Sequence, residues 1–191
     1  MIPGDGYDWA DDYIFVINPA DCSADAELQY FTKAEFPKLA EDGWYDGDGA
    51  CWNDELFAIG TGFQTSFAAG GAFTLQSSGE VHQDGYTIET DGSLVYMFPV
   101  NATARTITFS EVLPSDGYDW QDDFVFVVNP SDCSADAELQ YFTKAEFPKL
   151  AEEGWYDADG NCWNDEEILP GEGVQTSFAS GSAFELNFPA L

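Results

Sequence analysis

The chain has 191 residues, and 36 Asp plus Glu against 5 Lys plus Arg and a single His give it a formal net charge of −31. A surface this negative repels phosphate backbones and anionic headgroups, so nucleic acid is set aside as a partner and cations or basic proteins are favoured. With 45% apolar residues the chain is too hydrophobic for a disordered acidic tail and long enough for one ordinary domain or two small ones.

No stretch reaches the roughly 18 to 20 consecutive apolar residues of a membrane span, and no membrane insertion is expected. The opening Met1-Ile2-Pro3-Gly4-Asp5 lacks a charged region followed by an apolar run and does not read as a signal peptide.

Laid on itself at an offset of 111, the chain aligns Pro3 to Leu75 with Pro114 to Leu186 without a gap, about three-quarters of the positions being identical. Cys22 to Glu41 recurs unchanged at Cys133 to Glu152. The unit is far longer than a solenoid repeat of about 20 to 50 residues, so each copy reads as a small domain. The expected organisation is a first β repeat over 1–80, a strand-containing connector over 81–111 and a second β repeat over 112–191.

In chain order, Asp12 to Asn18 is a short β-branched and aromatic run closed by Asn18-Pro19, which predicts a buried strand. Its partner in the second copy is Phe124 to Val128. Ala26 to Thr32 mixes helix-favouring and strand-favouring residues and is read as strand, ended by Pro37. Trp44 to Trp52, repeated at Trp155 to Trp163, reads as a hairpin with aromatic arms around a Gly and Asp rich tip.

The connector carries β-prone runs at Tyr86 to Ile88, Leu94 to Phe98 and Thr106 to Phe109, with Asp91-Gly92 as a turn signal. If these strands complete the second copy, the first copy exposes an unfilled edge; if they complete the first, the second is deficient. Beyond them Pro170 to Gly173 turns, Val174 to Ala179 alternates, and Ala183 to Phe188 alternates again. The period is two almost throughout, which predicts an all-β protein of two tandem homologous domains, sandwich or barrel.

Each copy holds two cysteines 29 residues apart, Cys22 with Cys51 and Cys133 with Cys162. Repetition of the pair predicts one disulfide per domain, worth about 3 to 4 kcal/mol on the chain-entropy model, and hence an oxidising compartment. No CxxC is present and the one histidine, His82, lies outside both copies, so structural zinc has no support.

Oxygen side chains at alternate positions around a glycine turn can converge on a hard cation. This makes Asp157, Asp159, Asn161 and Asp165, with Asp46, Asp48 and Asp54 in the first copy, candidate calcium ligands. Turn geometry explains the same letters, and both a Glu at the twelfth loop position and an acceptor at position 50 are missing, Ile168 and Ala50 standing there. A second acidic group, Asp5, Asp8, Asp11 and Asp12, recurs as Asp116, Asp119, Asp122 and Asp123 and reads as solvated loop charge.

Trp44, Trp52, Trp155 and Trp163 are candidates for stacking on glycans, against the ordinary use of aromatics in cores and cross-strand pairs. Asn101-Ala102-Thr103 matches a glycosylation acceptor. No catalytic residue is marked out: a triad would have to use His82, which has no counterpart in the duplication, and no phosphate loop or dinucleotide fingerprint is present.

The order of motifs Val127-Val128-Asn129-Pro130, Gly154-Trp155-Tyr156-Asp157, Pro170-Gly171-Glu172-Gly173 and Phe184-Glu185-Leu186-Asn187-Phe188 resembles tandem β-repeat modules of secreted and surface proteins of bacteria. The first copy departs from it at Ile59-Gly60-Thr61-Gly62. The resemblance implies an extracellular or cell-surface setting and a repeat role, and transfers no catalytic residue.

The sequence thus points to a non-enzymatic extracellular structural protein of duplicated β domains, associating with copies of itself by strand complementation. The rival expectation is an adhesion module for glycans or calcium-bridged polymers.

Overall fold

The computed structural model describes residues 1–18, 23–56, 62–76, 83–90, 99–128 and 134–190. The architecture is all-β: among the described residues there is no α-helix, and no sheet closes into a barrel. The chain divides into two compact units, one built on the first repeat and one on the residues from Val81 onward.

In the first unit the strands are β1 (Ile2–Pro3), β2 (Asp12–Ile17), β3 (Ala24–Phe31), β4 (Gly43–Tyr45), β5 (Gln64–Phe67) and β6 (Leu75–Gln76). An antiparallel sheet runs in the order β4-β3-β2-β5, and β1 pairs with β6 in a separate short ladder. In the second unit follow β7 (Tyr86–Glu89), β8 (Ile107–Thr108), β9 (Leu113–Pro114), β10 (Asp123–Val128), β11 (Ala135–Phe142), β12 (Gly154–Asp157), β13 (Glu167–Ile168), β14 (Gln175–Phe178) and β15 (Glu185–Phe188). Its four-stranded sheet, β12-β11-β10-β14, repeats that of the first unit, and it adds a three-stranded sheet β7-β15-β9 and a ladder β13-β8.

The central hairpins follow from the period-two pattern. In β10, Asp123 and Val125 turn inward while Phe124 and Phe126 face the other side, and Val125 stands opposite Leu139 of β11. The same register holds in the first unit, Ile14 opposite Leu28, and both hairpins carry an irregularity one residue before the strand end. The mixed segment from residue 24 is strand, because tertiary pairing with β2 and β4 outweighs the helix preference of Ala, Glu and Leu.

The second unit is sandwich-like. Val125, Leu139, Trp155 and Phe178 from the four-stranded sheet share one core with Tyr86, Ile88, Leu186 and Phe188 from the three-stranded sheet. The first unit has a smaller core of Ile14, Ala26, Leu28 and Trp44.

One detail differs from the sequence expectation. The run expected as strand to Phe109 is strand only at Ile107–Thr108; Phe109–Glu111 forms a single 3-10 turn, because the Glu111 carboxylate folds back to accept the Thr108 N–H at 3.0 Å. The Asp91-Gly92 turn and the Leu94 to Phe98 run lie outside the described residues.

Candidate functional site

The described strands of the connector pair with the second repeat. Alternation puts Tyr86 and Ile88 of β7 inward and Thr87 and Glu89 outward, and β7 pairs along β15 with Ile88 opposite Leu186. Thr90 extends this edge: its N–H donates to the Phe184 carbonyl at 2.9 Å, and its hydroxyl accepts the Phe184 N–H at 3.0 Å.

Further on, Val100 bridges Gly173, and β8 pairs with β13. Gly173 has to be glycine here, since a Cβ would stand 2.6 Å from the Pro99 carbonyl oxygen. Ile107, Phe109 and Val112 then enter the core, and the Trp155 indole donates to the Val112 carbonyl at 2.8 Å.

Polar groups fasten this segment. Asn101 is 1% exposed and uses its whole amide. Its Nδ2 donates to the carbonyls of Arg105 at 2.8 Å and Ile168 at 2.9 Å, while its Oδ1 accepts from the Thr103 N–H and hydroxyl. The glycosylation-like triplet is therefore an internal staple between connector and β13. Arg105 forms a two-pronged pair with Glu111, at 3.0 and 2.6 Å, and also donates to the Ala190 carbonyl. The guanidinium holds the Glu111 carboxyl below its ordinary range.

In the first unit no counterpart of β7, β8 or the Val100 bridge occurs among the described residues. The outcome is an open side. Phe67 and Phe178 hold equivalent positions, yet Phe67 is 41% exposed and Phe178 3%. Met1 is 40% exposed where Val112 is 4%. Phe73 and Leu75 are half-buried where Phe184 and Leu186 are buried. One side of β6 pairs with β1, and among the described residues nothing pairs with the other. Of the two alternatives for the connector, its described strands pair with the second repeat.

The cysteines do not meet the disulfide expectation. Cys51 and Cys162 are exposed free thiols, each at the mouth of its hairpin opposite Tyr45 or Tyr156. Their sulfurs turn to solvent and to the carboxylates of Glu41 at 3.6 Å and Glu152 at 3.4 Å. Their expected partners, Cys22 and Cys133, lie outside the described residues.

The candidate calcium ligands do not converge, and among the described residues no group of three or more His, Cys, Asp or Glu side chains could hold a metal ion. Asp157 instead builds the turn. One oxygen accepts the N–H groups of Asp159 and Asn161, and the other accepts the Asn161 amide and the Trp163 indole. The Asn161 amide above all, with its backbone N–H and the Trp163 indole, pulls the Asp157 carboxyl down to about 2.

Asp46 does the same with Asp48, Ala50 and Trp52, and its pKa is lowered, first by the Trp52 indole. Asp48, Asp54, Asp159, Asn161 and Asp165 are exposed.

The candidate stacking tryptophans serve the core. Trp44 and Trp155 are 6% and 0% exposed, so neither offers a ring face to a ligand. Trp52 and Trp163 are half-buried and bound through their indole N–H to the hairpin aspartates. The Asp-rich GYDW segments also have a structural part: buried Asp123 accepts the N–H groups of Asp119 at 2.9 Å and Ser180 at 3.0 Å, and Asp12 repeats this with Asp8 and Ala69. The reading as solvated loop charge is therefore wrong for Asp12 and Asp123, which are 1% and 0% exposed, and their one signal is an acid at the start of an otherwise apolar strand in both copies.

Comparison of the chain with protein-family models, with curated proteins and with solved structures found no match. Among the described residues no helix is long and apolar enough to cross a membrane.

Proposed function

We propose that this chain is a non-enzymatic structural protein of an extracellular or cell-surface layer, whose β repeats join to neighbouring copies by strand complementation. The observation that carries the reading is the inequality of two closely similar repeats: the one with the connector is closed, and the one without it leaves one side of β6 with no partner strand among the described residues and Phe67 exposed. An open sheet edge bordered by apolar side chains is a template for another chain's strand. The extracellular placement is supported by the motif resemblance and by an acidic surface of net charge −31, suited to salt-rich surroundings.

Sedimentation velocity and electron microscopy of the purified chain over a wide concentration range test this. Oligomers or filaments that dissociate when Phe67 is replaced by Asp are the expected result. A particle that stays monomeric at the highest concentration ends the self-association reading.

A further inference from the structure

We propose that the first repeat is an acceptor for one particular kind of polypeptide: a strand segment with the connector's own pattern. This rests on the strand-complementation reading above and names the occupant. The second repeat shows what such an occupant does, since β7 pairs with β15, β8 pairs with β13, and Tyr86, Ile88, Ile107, Phe109 and Val112 share one core with Phe178, Phe184 and Leu186. The first repeat keeps the receiving features. Phe67, Phe73 and Leu75 stand where Phe178, Phe184 and Leu186 are covered.

The backbone says the same. Phe184 bonds Thr90 through both its N–H and its carbonyl, whereas among the described residues nothing bonds the Phe73 backbone.

The occupant is a strand segment of this connector pattern. The departures between repeats define it more closely: they concentrate at Leu56 to Phe63 against Glu167 to Val174, and Ser77 replaces Phe188. Its fit to the first repeat therefore depends on the residues matching Ile88 and Thr90 on β6 more than on an aromatic matching Tyr86.

The test titrates a synthetic peptide of residues 83–112 into the full chain, read by calorimetry and by hydrogen exchange resolved along the sequence. One peptide per chain is expected, with new protection over 64–76, none over 175–188, and binding weakened about a hundredfold or more when the peptide carries Ile88→Asp. A second arm fuses residues 83–112 directly ahead of Ile2 in the full chain, where the same protection of 64–76 is expected without added peptide.

Absence of protection over 64–76 in both arms overturns the proposal, as does protection confined to 185–188, which would mark replacement of the resident connector. Sedimentation of the same samples separates the two readings. Peptide binding by a chain that never self-associates sinks self-assembly and keeps the acceptor; self-association with no protection by peptide or fusion sinks the acceptor and keeps self-assembly.

Discussion

The ring of Tyr86 lies flat against that of Phe188, centroids 4.6 Å apart and planes 7° from parallel. The Tyr86 hydroxyl donates to the Val100 carbonyl and accepts the Ala102 N–H at 3.1 Å, so one side chain joins the first strand of the connector, its later course and the last strand of the repeat. Burial pushes its pKa up to about 12. Tyr86→Ala is expected to destabilise the second unit by about 3 to 5 kcal/mol and Tyr86→Phe by about 1 to 3 kcal/mol. Hydrogen exchange under denaturant, followed separately in the two units, checks that the first is untouched. Because the folded state holds the proton more tightly, this contribution is complete below the ordinary tyrosine value of 10.0 and is lost as pH climbs toward about 12.

Asn101 offers a test by modification as well as by mutation. With both amide hydrogens donated inside the fold, the side chain has none free for a glycan, so expression in a eukaryotic secretory host is expected to leave Asn101 unmodified by mass spectrometry. Asn101→Ala should cost about 2 to 4 kcal/mol in denaturant unfolding, since it strands two carbonyls and the Thr103 donors.

Acid should loosen the connector through Glu111. Its carboxyl sits below the ordinary value of 4.5 because of the Arg105 guanidinium, so its contribution is present above that value and disappears as pH falls through the lowered one. Asp157 adds a second loss between 3.8 and about 2. Protonation also relieves self-repulsion in so acidic a protein, so the measurement is a difference. Thermal unfolding from neutral pH to about pH 2 should show a shallower acid limb for Glu111→Gln and Asp157→Asn than for the parent. Identical limbs would refute both assignments.

The two exposed thiols should titrate with a maleimide in the native state, and Cys51→Ser and Cys162→Ser should each change stability by less than about 0.5 kcal/mol. Protection of Cys51 and Cys162 from the reagent until a reductant is added would contradict the free-thiol arrangement.

Much of the fold was legible because its signals are local. Asp12 to Ile17 and Trp44 to Trp52 announce strand and hairpin through period-two alternation and turn residues, and the duplication confirms each twice. What alternation does not carry is pairing across the chain. Nothing near Tyr86 says that it will lie beside Phe188 rather than beside the equivalent stretch of the first repeat, because that choice is made by contacts about 100 residues away.

The candidate site residues stayed ambiguous in sequence for a related reason. Asp, Gly and Trp are suited both to ligands and to tight hairpins, and only the structure shows the Asp157 oxygens already occupied by four donors.

The duplication also supplies an internal reference. Two repeats alike at about three-quarters of their positions differ chiefly in whether a connector lies across them. They should therefore melt in two steps, the open repeat first. The gap between those steps measures what the connector is worth within a single molecule, under one set of conditions and without recourse to any other protein.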